Sequence, residues 1–249
     1  MKYFRALSER KVAFIIRIVQ ILTRADDVGG VQTHVRDLAA ALKERGEEVT
    51  VLAGRGDILY PQLDERGVPY RVVENLVRPI NPHQDFTALR QISILLNELN
   101  PDLVATHSNK AGLLGRLAAA RLGIPTVHTS HGFLFGGRKQ TFSSRFYRLM
   151  EKYAAGRGNL VIAVSRSEYE LAANLKVIEP QKMAVIYNGL PDVDSRFLAR
   201  PQAEPVQIMM VARLAPPKDP LTLIRALKGL KELNWKLKLV GEGVEQAAC

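Results

Sequence analysis

The sequence predicts an α/β protein: a doubly wound, parallel-sheet Rossmann-like domain followed by the start of a second one. Three observations carry this. Short β-branched runs alternate with stretches of helical period, the strand runs are nearly all apolar, and the alternation stops at a proline-bearing polar stretch and then restarts. Strands that are apolar throughout belong to parallel sheets covered on both faces.

In chain order, "RIVQIL" reads as a strand, "GVQTHVRDLAAALKERG" as a helix and "EVTVLAG" as the next strand, with Gly or charge at each change of period. The alternation continues through "VPYRVV", a helix around "FTALRQISILLNELN", "DLVATH", the helix "KAGLLGRLAAARLG" and "PTVHTS". A basic helical segment, "LVIAVS", a helix from about Arg166 and "MAVIYNG" complete the first domain, expected over residues 1–190. The polar stretch "PDVDSRFLARPQAEP" is the expected linker, 191–205. Residues 206–249 restart with "VQIMMVARL", "PLTLIRALKGLKEL" and "WKLKLV", one βαβ unit of an incomplete second domain.

Composition bounds the rest. The 249 residues are 47% hydrophobic and 24% charged with net charge +10, which fits a soluble globular protein with an anionic partner. The one cysteine, Cys249, excludes a disulfide framework and a thiolate metal site, so a cytoplasmic setting is expected. The apolar stretch "VAFIIRIVQIL" is broken by Arg17 and is shorter than the roughly 20 residues that span a bilayer, so neither a signal peptide nor a membrane span is expected.

Gly29 and Gly30 lie between the first strand and its helix, where helix N–H groups and dipole meet anions at the sheet edge. They either let a phosphate or sugar approach bare backbone or make an ordinary turn. G-x-G-x-x-G, G-x-S-x-G and P-loop patterns are absent, which disfavours nicotinamide, hydrolase and kinase chemistry. In "ARLAPPKDP", Arg213 and Lys218 flank two prolines after a strand; they either grip a diphosphate, as fork and point charge, or decorate a solvated loop. Gly241, Glu242 and Gly243 in "LVGEG" form a turn that either admits a flat base or simply turns.

His131 in "HTSHGF" stands at a strand end and is expected to titrate near neutral pH, with His128 on the opposite face. His107 ends another strand, where Ser108 and Asn109 are the expected cap over Lys110. His34 reads as packing or surface. Asp192 and Asp194 have D-x-D spacing but lack the further oxygen ligands of a Mg²⁺ site. Residues 133–157 interleave Arg138, Lys139, Arg145, Arg148 and Lys152 with Phe142, Phe146, Tyr147 and Met150. This helix suits an anionic membrane surface, or else turns its aromatics to the core and a basic face to water. No RNA-binding signature accompanies it, so no nucleic-acid partner is expected.

Together, "DDVGGVQTHVRDLAAALKERGEEVTVLAG", "PDLVATHSNKAGLLGRLAAARLGIPTVHTSHGFLF", "LVIAVSRSE", "VIYNGLP" and "VARLAPPKDPLTLIRAL" with "LVGEG" resemble the family 4 glycosyltransferases, retaining enzymes of the two-Rossmann-domain GT-B fold. The versions here look most like members that build bacterial capsular polysaccharide, exopolysaccharide or lipid-linked oligosaccharide. The resemblance implies transfer of a sugar from a nucleotide-sugar, UDP- or GDP-linked, to a hydroxyl on a lipid-linked or saccharide acceptor. It implies no cofactor and no metal. The donor would meet Gly29, Gly30, Arg213, Lys218, Gly241, Glu242 and Gly243; His131 would assist transfer; His107, Asn109 and Lys110 would lie on the acceptor side, in the first domain. Ser165 falls in a strand-end serine motif of open role. Family members also meet the membrane through a basic helix of that domain, which implies a peripheral place on the inner face of the plasma membrane. They continue beyond "LVGEG" to a paired-glutamate motif that this chain does not contain, so the rival expectations are an inactive acceptor- or membrane-binding module, or a sugar-nucleotide epimerase of the same fold.

Overall fold

The computed structural model describes residues 15–27, 29–136, 141–190, 192–216, 218–230 and 232–249. The first compact unit ends at Gly189 and the second comprises Leu190–Cys249, so the expected linker groups with the second unit.

The first unit is built on seven parallel strands: β1 (Arg17–Leu22), β2 (Glu48–Ala53), β3 (Tyr70–Val72), β4 (Leu103–His107), β5 (Thr126–Ser130), β6 (Leu160–Ala163) and β7 (Met183–Val185). Their order is β3-β2-β1-β4-β5-β6-β7, so the winding reverses between β1 and β4. The helices are α1 (Gly30–Glu44), α2 (Leu59–Asp64), α3 (Pro82–Leu99), α4 (Asn109–Arg121), α5 (Phe142–Ala155) and α6 (Arg166–Asn174).

Strand side chains alternate between faces, and both faces are covered. Val19, Ile21 and Val104 pack with Leu89, Ile92 and Leu96 of α3 and Leu114 of α4. Ile18, Leu22 and Val51 pack on the other face with Val35 and Ala39 of α1 and Leu59 and Leu63 of α2. Each such side chain, fully buried, contributes roughly 1.5–3 kcal/mol. α4 can lie close to the sheet because it carries glycines there. A Cβ on Gly112 would stand 2.5 Å from the ring of His128, and one on Gly115 2.7 Å from Thr106 Cγ2. The short α2 was not expected; six residues give no helical period to read, and its buried Leu59, Tyr60 and Leu63 hold it in place.

The second unit pairs β8 (Val206–Val211) in parallel with β9 (Trp235–Val240), joined through α7 (Pro220–Lys228). Among its described residues only Leu214, Pro220 and Leu227 are buried. Apolar residues of β8 such as Met209 (61% exposed) and Val211 (71%) face solvent.

Candidate active site

Where the winding of an open sheet reverses, the loops leaving adjacent strand ends diverge and open a crevice. Here that point lies between the C-terminal ends of β1 and β4. The loop after β1 leads to Gly29 and Gly30, β4 ends at His107, and His131 directly follows β5.

Gly29 is the N-cap of α1, in extended conformation, with no side-chain cap and no acid in the first turn. The leading N–H groups of this helix therefore have no carboxylate or hydroxyl of their own. Among the described residues a Cβ on Gly30 would meet nothing within 4 Å, and one on Gly29 only the end of the Gln32 side chain, at 2.6 Å. Neither glycine has positive φ. The chain's own geometry does not demand glycine here.

One turn into α1, His34 faces His107 and His131; the ligand nitrogens of all three lie within 4.8 Å of one another. His107 Nδ1 is 3.2 Å from His131 Nε2. Burial and then the neighbouring His34 push the His131 imidazole down to about 4. His107, 1% exposed, is held well below the ordinary histidine range by burial and then by His131 and His34. His34 is lowered by burial, with Asp37 working against the shift. At neutral pH the three rings are thus uncharged, which corrects the expectation that His131 titrates near neutrality. An uncharged His131 can accept or donate a hydrogen bond and act as a weak base, but carries no positive charge. His34, read as packing or surface, is half-buried with its ring against those of His107 and His131. Its i, i+4 spacing from Gly30 was the available signal, since it sets both on one helix face.

His128 lies on the opposite face, as strand parity requires: its ring nestles on Gly112, with Nδ1 3.0 Å from Thr106 Oγ1. Ser108 adopts φ 64°, ψ 159°, a region nearly reserved for glycine that costs about 1–3 kcal/mol. Its hydroxyl bonds that of Thr23 at 2.7 Å, and Thr23 Oγ1 accepts from Ala111 N at 3.2 Å. The expected cap by Ser108 and Asn109 is therefore supplied from the loop after β1 instead, tying the two sides of the crevice together. Asn109 opens α4 and is partly exposed. The Lys110 ammonium donates to Asp85 and to the Pro79 carbonyl, so it is committed to α3.

Ser165 caps α6, accepting from Glu168 N at 3.2 Å. Glu168 Oε2 in turn accepts from Phe133 N at 2.9 Å and from the Ser130 hydroxyl at 3.4 Å, bracketing His131 on both sides. The Ser-x-x-Glu spacing of a capping box was the legible signal for this pair.

In the second unit, Arg213 and Lys218 are both exposed and make no ion pair among the described residues. Gly241 and Gly243 are glycines for an internal reason. A Cβ there would stand 1.9 Å from the Ala212 carbonyl oxygen and 2.1 Å from that of Leu214. The same two loops are joined by Leu214 N to Glu242 O at 2.8 Å and Glu245 N to Leu214 O at 2.9 Å. Asp194 is occupied by the Arg196 backbone N–H (2.8 Å) and guanidinium (2.9 Å), a use other than metal binding.

α5 departs from the core-facing alternative. Three of its aromatics are exposed, Phe142 at 89%, Phe146 at 41% and Tyr153 at 45%, in line with Leu149 at 61%, while Tyr147 and Met150 are half-buried. Arg145 and Lys152 are exposed and Arg148 half-buried beside them, whereas Arg138 and Lys139 lie outside the described residues. The buried side carries Ser144, Ala154, Ala155 and Glu151. Glu151 accepts a bidentate pair of bonds from the fully buried Arg116 of α4, at 2.8 and 2.9 Å. An open groove of about 360 Å³, lined by Lys152, Lys176, Lys182, Val177 and Ile178, lies at the foot of α5. α5 leads from there into the start of β6, so this groove is at the other edge of the sheet from the histidines. No described helix is long and apolar enough to cross a membrane.

The family model described as Glycosyltransferase Family 4 matches residues 28–192, more than half of the chain. The chain belongs to glycosyltransferase family 4. An Escherichia coli relative, a UDP-Gal:alpha-D-GlcNAc-diphosphoundecaprenol alpha-1,3-galactosyltransferase, is 33% identical over 174 residues, covering 65% of this chain and 45% of that protein. A D-inositol 3-phosphate glycosyltransferase of Kineococcus radiotolerans is 27% identical over 237 residues, covering 84% and 54%. Among solved structures, Anabaena Alr3699/HepE in complex with UDP and glucose superposes with TM-score 0.68 at 20% identity, covering 93% of this chain and 63% of that one. The apo form of the lipopolysaccharide outer core galactosyltransferase WaaB gives 0.66 at 18%, covering 94% and 63%. These structures establish the fold, which is that of the GT-B glycosyltransferases. The chain spans about half the length of the curated relatives it matches.

Proposed function

We propose that the protein carrying this chain is a retaining glycosyltransferase that moves a sugar from a nucleotide-sugar donor to a hydroxyl of a lipid-linked or saccharide acceptor in cell-surface polysaccharide assembly. The observation that carries this reading is the uncapped, glycine-headed N-terminus of α1 at the reversal of the sheet, with His34, one turn further on, against the neutral imidazole of His131 at the end of the next strand but one. The N–H groups and dipole of α1 favour the donor's negative charge, and Gly29 and Gly30 leave room for its approach. Arg213 and Lys218, unpaired and exposed, hold the diphosphate as it departs, which is where charge grows in the transition state. Gly241, Glu242 and Gly243 form the turn beside the base. His131, uncharged and bracketed through Glu168, orients the acceptor hydroxyl, with His107 behind it and Asn109 and Lys110 on the acceptor side.

No metal or cofactor is required in this scheme. The donor is UDP-linked and the acceptor a lipid diphosphate, supported by the name of the E. coli relative. The exposed aromatic and cationic face of α5 rests on anionic lipid at the cytoplasmic side of the membrane, where such an acceptor resides.

The test is transfer from UDP-galactose to a GlcNAc-diphospholipid by the whole protein, with the product anomer read by NMR. Expected are an α-linkage and at least a hundredfold loss of kcat on His131→Ala. Full turnover by that variant, or a β-linked product, contradicts the reading.

A further inference from the structure

The three histidines also have the geometry of a metal-ion site. Imidazole nitrogens bound at roughly 2.0–2.1 Å to one tetrahedral ion stand about 3.3 Å apart. His107 Nδ1 and His131 Nε2 are already 3.2 Å apart, and the His34 nitrogen completes a set within 4.8 Å. The ring centroids form a near-equilateral triangle, with separations of 4.9 Å (His34 to His131) and 5.5 Å for the other two pairs.

The rigidity of the three positions is graded in a useful way. His107 is fixed at a strand end and 1% exposed, His131 is held by the Glu168 bracket, and His34 is a half-buried helix residue whose side chain can rotate to close the last gap. Among the described residues the His34 ring makes no hydrogen bond, so turning it sacrifices none.

A ligand histidine needs an acceptor for its other N–H. With His107 bound through Nδ1, that group is Nε2, which is buried without a partner among the described residues; Gln20 is fully buried and neither of its amide atoms is bonded among them. Gln20 pairs with Ala105 on the adjoining strand, which sets it on the same face as His107 and two places short of it, within reach of a long side chain. Each orphan is what the other lacks.

We infer that His34, His107 and His131 form a binding site for a divalent transition-metal ion of imidazole preference, Zn²⁺ foremost, with the fourth position open to solvent. On the transfer reading above, an ion here withdraws His131 from the acceptor and so acts as a brake on the reaction rather than as its cofactor.

The experiment is calorimetric titration of Zn²⁺ into the 249-residue chain, free of any histidine tag and carrying Cys249→Ser, alongside the visible absorption of bound Co²⁺. Expected is one equivalent bound at micromolar Kd or tighter, with the intense bands of a tetrahedral ion. His34→Ala and His131→Ala should each weaken binding at least tenfold, whereas His83→Ala, at an exposed position on α3, should leave it unchanged. Circular dichroism confirms that each variant is folded. Absence of saturable one-to-one binding, or an affinity unmoved by both substitutions, overturns the inference. Because the readout is metal binding, its failure leaves the transfer reading where it stands.

Discussion

Gly30, at the head of α1, and Gly241, directly after β9, are the same residue type, yet their surroundings differ. Around Gly241 the chain's own backbone fills the space a side chain would take; around Gly30 nothing among the described residues does. The first kind of glycine is explained by folding. The second leaves its lack of a side chain to be explained by something outside the chain. The two faces of α5 repeat the contrast, one locked by the Arg116–Glu151 pair and the other offering aromatics and cations to solvent.

The largest effect is expected where the chain has closed a position on itself. Glu151→Ala leaves the Arg116 guanidinium buried and uncompensated, and should cost about 3–5 kcal/mol in urea unfolding. A loss below about 1 kcal/mol would mean that the pair is not closed off from water. Next comes Gly241→Ala, which drives a methyl group into the Ala212 carbonyl and should cost about 2–4 kcal/mol. Trp235, the one tryptophan and part of β9, reports that loss by fluorescence.

Acid should act through the buried imidazoles. His107, His128 and His131 have folded-state values depressed below the unfolded value of about 6.5. Between about pH 6.5 and 4 the unfolded chain therefore binds more protons, and stability that is complete above pH 6.5 falls as the pH drops. Scanning calorimetry should show Tm lower by roughly 10 °C at pH 5 than at pH 7. A flat Tm across that interval would place these rings in water. The smallest effect on folding belongs to the open face of α5: replacing Arg145, Arg148 and Lys152 by Gln should shift stability by less than about 0.5 kcal/mol. Each lost charge should still weaken co-sedimentation with anionic vesicles by about 1 kcal/mol. Undiminished sedimentation removes this face from the membrane.

What the sequence made legible followed from periodicity and local chemistry. The apolar strand runs, the first-domain helices other than α2, the opposite faces of His128 and His131 and the edge position of His107 all depend on neighbours one or two turns away. What it hid depends on residues distant in sequence. The Thr23 hydroxyl caps a helix 88 positions on, and Lys110 is committed to Asp85, 25 positions back. His34 joins His107 and His131 only once α1 has crossed over the sheet. The depressed basicity of His131 likewise comes from burial by other elements, which no local pattern records.

The most direct test of the central claim is Gly30→Leu, read in two ways: the unfolding midpoint of the chain and the rate of sugar transfer by the whole protein. An unchanged midpoint with transfer lowered at least a hundredfold is the expected result, because a Cβ at this exposed position meets nothing within 4 Å among the described residues and the longer side chain extends into the donor's approach. Transfer at the unsubstituted rate would contradict it, and would return Gly30 to the status of an ordinary turn residue.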